Sequence, residues 1–497
     1  MTQEITSADR RRGMNISIWE GAYATIHGNL VGGLFITYYI IALGATNIHY
    51  GLMGAIPSFA VIIQLLIAYW LQSLPHRKPL TVVTVVVVRF CWFLIPLIPF
   101  FFIKPVSMKI FFWLYLVACI YGAMSGIPWT SWMADLVPAP VRGRYFSRRA
   151  MVCTIVSVVG LLGGLYYDYS KPVNDFIINL LPTIKFLSRA ETFEFVRLGV
   201  LSMLGTAAGV LSIIYLLRQP EPPYVKKDVV RKPIPIFTYA KIALADKNFR
   251  TFTILMCLWS VVNGISGPFW TPFLINKIKW SATTIQLYGF LALIFRVIAL
   301  PIWGKLIDRY GNKPIILVAI YFGAFHPLYW VISDANFNFF IYIDGISSGF
   351  MWAGVEIAVL KLMLGSSPDK YKEMYYAVYT VMTGLTVAFP QIFIGWIADM
   401  VPANFRFLSL DFVQWVFWFV SIGRFLFLIP FMKLVTDPGS KTMLYFLDNI
   451  MSDSIMGRAT KDIFGFIGIV TVDKNDQPAS AIDKKGKDPP PDKELIS

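Results

Sequence analysis

The sequence predicts an all-α polytopic membrane protein, with twelve transmembrane helices arranged as two pseudo-symmetric six-helix bundles. Three observations carry that expectation: apolar runs long enough to cross a bilayer, one polar break near the middle, and an internal repeat on either side of it. Of 497 residues, 56% are hydrophobic and 15% charged, and mean hydropathy is +0.61. A soluble domain is nearer half apolar and a quarter charged. Apolar runs of about 20 residues suit a hydrocarbon core roughly 30 Å thick. This excludes a soluble enzyme, a nucleic-acid reader and a disordered scaffold. The net charge of +15 reports basic loops, as expected of a chain with many spans, so no nucleic-acid partner is expected. The expected partners are the lipid bilayer and a small-molecule substrate, with the chain acting as a monomer.

The spans fall at 17–45, 50–72, 80–103, 109–134, 149–169, 194–217, 251–275, 281–304, 314–333, 337–362, 373–398 and 412–434. All should be helical, because a chain in lipid must satisfy its own backbone hydrogen bonds. The polar start (MTQEITSADRRRGMN) precedes a first run too long for a cleaved signal peptide, so that run reads as a retained span. Cys91, Cys119, Cys153 and Cys257 all lie inside apolar runs without C-x-x-C spacing, so neither a disulfide framework nor a metal site is expected. Of the 44 Lys and Arg, 32 fall in the termini and alternate loops, against nine on the opposite side. Both termini should therefore be cytoplasmic, which in a bacterium places the chain in the cytoplasmic (inner) membrane. The expected organisation is a cytoplasmic segment over 1–16, a bundle over 17–217, a basic Pro-rich cytoplasmic loop over 218–250, a second bundle over 251–435 and a cytoplasmic tail over 436–497. The Lys/Asp/Pro end of that tail should be disordered.

Self-comparison exposes a duplication. Span 4 carries Gly122, Ser125, Gly126 and Trp129, and span 10 repeats the pattern with Gly345, Ser348, Gly349 and Trp352. Span 5 ends in Gly164-x-x-x-Asp168 and span 11 in Gly395-x-x-x-Asp399. His27-Gly28 of span 1 corresponds to Asn263-Gly264 of span 7. The loops after spans 2 and 8 fall at nearly the same displacement, and four matches in one order are the build of transporters with parallel six-helix halves.

The loop between spans 8 and 9 reads GKLIDRYGNK and resembles the signature of the major facilitator superfamily, matching at Gly304, Leu306, Asp308, Arg309, Gly311 and Lys313. The loop after span 4 is similar to the superfamily's D-x-x-P…R-G-R element, through Asp135, Pro138, Arg142, Gly143 and Arg144. The resemblance covers about residues 15–435. The loop after span 2 departs from it, with Gln72 or Ser73 at the Asp position, and no subfamily is assigned. The resemblance implies that spans 1, 4, 7 and 10 surround a central cavity. Spans 3, 6, 9 and 12 would then be outer supports, making Arg89 and Arg424 structural. It also implies a cytoplasmic lock, in which Asp308 faces the start of span 5 beside Arg148 and Arg149, with Gly304 and Gly311 permitting tight packing and a turn.

Ionisable residues within spans cost roughly 2.5–3.5 kcal/mol at the bilayer centre, so each asks for a reason. Glu20 and His27, two helical turns apart on one face, could exchange a proton if they face a wet cavity. They could equally sit at the interface and bond a neighbouring carbonyl. Arg296 and Glu356 lie at equal depth and are expected partners, for transport or as a structural ion pair. Asn263 and Asp344 are further candidates for substrate or ion coupling, although Asp344, nearer the outer face, could instead simply reach water. Asn263 and the Gly267-Pro268-Phe269-Trp270-Thr271-Pro272 run of span 7 form a break that suits a hinge.

The leading functional expectation is a secondary transporter of a small solute by alternating access, not an enzyme. No Walker-type phosphate loop accompanies the spans, so ion coupling or facilitated diffusion is expected rather than ATP, and no cofactor is expected. A coupling ion is expected to be a proton rather than sodium. A membrane-embedded transferase and a sensor signalling through the C-terminal tail are the alternatives.

Overall fold

A computed structural model describes residues 6–71, 76–180, 187–222, 236–365, 372–402, 404–437, 440–443 and 445–446. Among the described residues regular structure is helical, apart from one isolated bridge between Phe407 and Leu410. Gln72 and Ser73, and nearly all of the 436–497 tail, lie outside the described residues.

Twelve helical segments follow the apolar runs. In chain order they are α1 (Ser7–Ala42), α2 (Asn47–Ala60 continued by Ile62–Leu71), α3 (Lys78–Phe101), α4 (Lys104–Leu136), α5 (Arg142–Tyr169) and α6 (Arg189–Arg218). The second set is α7 (Lys247–Ile278), α8 (Ala282–Tyr310), α9 (Asn312–Val331), α10 (Phe339–Gly365), α11 (Lys372–Met400) and α12 (Phe412–Leu434). Eleven are long and apolar enough to cross a membrane, and α2 is divided at Val61 into two shorter pieces. Short helices at Lys171–Leu180 and Ile236–Ala245 lie in connections. The first helix begins at Ser7 rather than at 17, because Thr6 caps its free amides by accepting from Asp9 N.

Side-chain caps fix other starts. Ser188 and Glu191 form a reciprocal capping box on α6, and Asp411 and Gln414 form one on α12. Prolines sit inside α2, α4, α8, α11 and α12, where each removes a ladder hydrogen bond. The expected break in α7 is a 3₁₀ turn over Gly267–Phe269, followed by a π segment over Leu274–Ile278.

The sequence duplication is realised in the packing. Helix α1 packs on α5 and α6 as α7 packs on α11 and α12, and α4 packs on α2 and α3 as α10 packs on α8 and α9. The starts of α1, α3 and α7 and the ends of α4, α6 and α12 share one face, here the terminal face. There Arg10 donates to the Asp135 carbonyl, Lys78 to the Leu217 carbonyl and Thr436 to Asn248 Oδ1. The opposite, distal face carries the Lys104–Glu191 and Lys277–Asp411 ion pairs. Across the halves, α2 packs on α11 and α5 on α8. Both junctions use the distal stretches, Asn47–Ala60 of α2 and Val159–Tyr169 of α5, far more than the stretches nearer the terminal face. The halves therefore meet distally and diverge toward the terminal face.

Candidate functional site

The distal junctions are built from the duplicated Gly-x-x-x-Asp segments. Asp168, at the end of α5, accepts from the amides of Ala282 and Thr283 at 3.1 and 2.8 Å, and from Thr283 Oγ1 at 2.6 Å. Asp399, at the end of α11, accepts from the amides of Asn47 and Ile48 at 2.7 and 3.1 Å, and from Thr46 Oγ1 at 2.7 Å. Each carboxylate thus satisfies the free N–H groups, and faces the positive dipole end, of a helix in the other half. The glycine one turn earlier permits the approach. A Cβ on Gly164 would lie 2.9 Å from Thr283 Cα, and one on Gly395 2.6 Å from the Asn47 carbonyl oxygen.

Beneath this closure a cavity of about 1030 Å³ lies between the halves. The N-terminal half lines it with neutral residues, including Thr37, Tyr50, Ser58 and Tyr115. The C-terminal half brings the charged ones. Asp344 of α10 is 3% exposed, and its Oδ2 accepts from Tyr288 Oη at 2.6 Å and Trp330 Nε1 at 3.0 Å. Its Oδ1 has no hydrogen-bond partner and lies 3.8 Å from His326 Nδ1. Arg424 of α12 is 4% exposed, and donates to the Gly323 carbonyl at 2.7 Å and to Asn263 Oδ1 at 2.8 Å. Its guanidinium lies over the Trp352 and Trp259 rings, at 5.3 and 5.8 Å.

This arrangement corrects several expectations. Asp344 does not reach bulk water; Tyr288 and Trp330 enclose it and supply the hydrogen bonds a buried carboxylate needs. Arg424 is no outer support, since its long side chain reaches from α12 into the cavity lining. Glu20 and His27 do not face the cavity together. Glu20 accepts from Arg149 Nη2 at 3.0 Å, and Arg149 also donates to the Ser17 carbonyl and covers Trp129. His27 is 2% exposed, with Nδ1 3.0 Å from the Gly205 carbonyl oxygen of α6. Gly205 and Gly209 bring α6 close enough to bury that face. Arg89 lies beside His27 against Gly209 and within electrostatic reach of Glu20.

Arg296 and Glu356 form an ion pair between α8 and α10, each about half exposed. At the terminal face, Asp308 pairs with Lys361 of its own half at 2.6 Å rather than with the start of α5, where Arg144 and Arg148 are exposed. The expected lock is not made while the halves diverge. Gly311 takes φ 91°, a turn that suits glycine, whereas a Cβ at Gly304 or Gly143 would meet nothing within 4 Å, so neither is needed for close packing. The Asn312 and Lys313 amides that open α9 donate to Asp437, and Arg309 covers Tyr310. In the N-terminal half Asp135 pairs with Arg77 at 2.6 Å, Arg142 donates to the Ala134 carbonyl, and the Pro138 carbonyl accepts from Val141.

Sequence reasoning overlooked His326, Tyr288 and Trp330. His326 had a signal, an imidazole inside an apolar run, while the two aromatics had none that set them apart from the other rings.

Sequence and structure comparisons bear on this geometry. The family described as Major Facilitator Superfamily matches residues 21–295 and, in an overlapping second match, 260–444. No curated protein matches the sequence. Among solved structures, a point mutant of the nucleoside transporter NupG aligns with TM-score 0.63 at 13% identity, over 85% of this chain and 100% of its own. The xylose transporter XylE from E. coli, inward open, aligns with TM-score 0.57 at 15% identity, over 87% and 98%. An inward-facing bacterial homologue of the human lysosomal transporter Spinster gives 0.58 at 14%, over 88% and 100%. At such identities the likeness is one of fold.

Proposed function

The chain belongs to the major facilitator superfamily, and from that premise we propose that it is a secondary transporter carrying a small solute through the cavity between its halves by alternating access. One observation carries this reading: a cavity formed by both halves, closed at one face by paired helix caps and lined by the buried charged side chains of Asp344 and Arg424. Desolvated charges of this kind inside a membrane bundle mark solute or ion pathways. The basic loops favour a cytoplasmic terminal face, so the arrangement described is open toward the cytoplasm. Reversal would break the Asp168 and Asp399 caps and bring Asp308 to the start of α5.

The coupling ion this reading favours is a proton rather than sodium. Its station is the carboxylate–imidazole pair Asp344 and His326, because Glu20 and His27 lie outside the cavity lining. Tyr288, Tyr329 and Arg424 are the other titratable or charged groups facing Asp344. An enzymatic role has less support, since the buried charges line a cavity between the halves and form no cluster at an interface.

The test is uptake into proteoliposomes of labelled sugars, nucleosides and amino acids under an imposed pH gradient. Accumulation that is lost in Arg424→Gln supports the reading. Gradient-driven uptake that Arg424→Gln leaves intact would move the transport site elsewhere.

A further inference from the structure

Resting on the reading of this cavity as the transport site, we infer that its C-terminal wall takes a zwitterionic ammonium carboxylate, with the carboxylate on Arg424 and the ammonium on Asp344 among aromatic rings. Arg424 and Asp344 both line the cavity, both are more than nine-tenths buried, and their charges interact without forming an ion pair among the described residues. A singly charged ligand would neutralise one and leave the other buried without a counter-charge, which is the costly arrangement. A neutral polyol could hydrogen-bond to both but would compensate neither. A ligand with opposite charges at its two ends compensates both.

The unfilled valences agree. Arg424 Nε and Asp344 Oδ1 make no hydrogen bond within the protein, and His326 Nδ1 stands 3.8 Å from Oδ1. The Arg424 guanidinium is held in place by the Gly323 carbonyl and Asn263, a fixed donor fork that suits a carboxylate.

The surroundings of Asp344 define the other end. Tyr288 and Trp330 both donate to Oδ2, while Oδ1 faces His326 Nδ1 at 3.8 Å. The rings of Trp270 and Trp330 lie 4.7 Å apart, edge to face, with Tyr288 beside Trp330 at 6.2 Å. All three residues line the cavity. A carboxylate beside aromatic rings is the chemistry that recognises an ammonium, methylated or not. The neutral N-terminal wall is left for the body of the solute. Protonation of Asp344 would remove the ammonium's counter-charge, so proton and ammonium occupy the carboxylate in turn.

The test is isothermal titration of the purified full chain. Glycine betaine, L-proline and L-tryptophan are the zwitterions; choline supplies the cation alone and 3,3-dimethylbutyrate the carboxylate alone, with D-xylose and uridine as neutral polar solutes. At least one zwitterion should bind about tenfold or more tightly than any of the other four. Asp344→Asn should weaken it by about tenfold or more and Arg424→Gln by about thirtyfold or more, while Asp344→Glu, which keeps the charge, should retain most of the affinity, and Arg424→Lys, which keeps the charge without the fork, should fall between the parent and Arg424→Gln. Choline or 3,3-dimethylbutyrate binding as tightly as the zwitterions would overturn the inference. Binding of D-xylose or uridine alone, lost in Arg424→Gln, would also overturn it while leaving the transport reading in place. If no zwitterion binds, the inference fails, and uptake in proteoliposomes then decides the transport reading separately.

Discussion

In the N-terminal half Glu20 is paired with Arg149 and Asp135 with Arg77, all outside the cavity lining. In the C-terminal half Asp344 and Arg424 stand on the cavity wall without pairing to each other. The two halves share a helix packing but differ in where their charge points. The duplicated glycines show the same division. Gly345 and Gly349 press α10 onto α8, so that a Cβ at Gly349 would lie 2.1 Å from the Ala292 carbonyl oxygen, whereas Gly122 and Gly126 of α4 face open space. By contrast, the Gly-x-x-x-Asp segments work alike in both halves. Duplication has kept the closure symmetric and left the charged part of the cavity lining to one side.

The largest expected effect breaks this comparison at its charges. Arg424→Gln should weaken solute binding by about 2–5 kcal/mol, a factor of roughly thirty or more, because it leaves one end of a buried ionic contact unmatched. Arg149→Gln should instead lower thermal stability and leave the affinity of the folded protein within a few-fold. Equal losses of affinity, read by titration, would show that both halves carry the site.

A smaller effect is expected at the repeated glycines. Gly349→Ala should destabilise by about 1–3 kcal/mol through the forced shift of α8. Gly126→Ala should be neutral or stabilising by about 0.5–1 kcal/mol, since a mid-helix glycine gains from the added methyl. Thermal unfolding in detergent reads both, and matching losses would mean that α4 is packed as closely as α10.

The smallest effect concerns Asp308. Its exposed contact with Lys361 contributes little stability, so Asp308→Asn should leave unfolding unchanged. It should still raise the labelling of a cavity cysteine from the terminal face, because the reversed arrangement loses a carboxylate–helix contact of about 0.3–2 kcal/mol. Unchanged labelling would remove Asp308 from the closing of that face.

Much of the fold was legible because membrane helices declare themselves by run length, and because the repeat fixed which runs correspond. The Arg296–Glu356 contact followed from depth along two helices. The cavity chemistry was harder to read. Helical spacing places Glu20 and His27 on one face, but only packing shows that α5 and α6 cover it. Asp344 and Arg424 sit on helices whose rotation hydropathy does not determine, and the roles of His326, Tyr288 and Trp330 depend on contacts between α8, α9 and α10. Asp168 and Asp399 were visible as a repeat, yet nothing in a single sequence shows that each caps a helix of the opposite half.

The central claim is that these two carboxylates hold the distal face closed. Spin labels on Val173→Cys and Phe337→Cys, both exposed at the distal face, would read the separation of the halves there by double electron–electron resonance. The four native cysteines would be replaced by serine. Each cap is worth about 0.5–2 kcal/mol. Asp168→Asn together with Asp399→Asn should therefore add a longer-distance population that the parent lacks, increased several-fold over either single substitution. A distribution in the double variant indistinguishable from that of the parent would contradict the account.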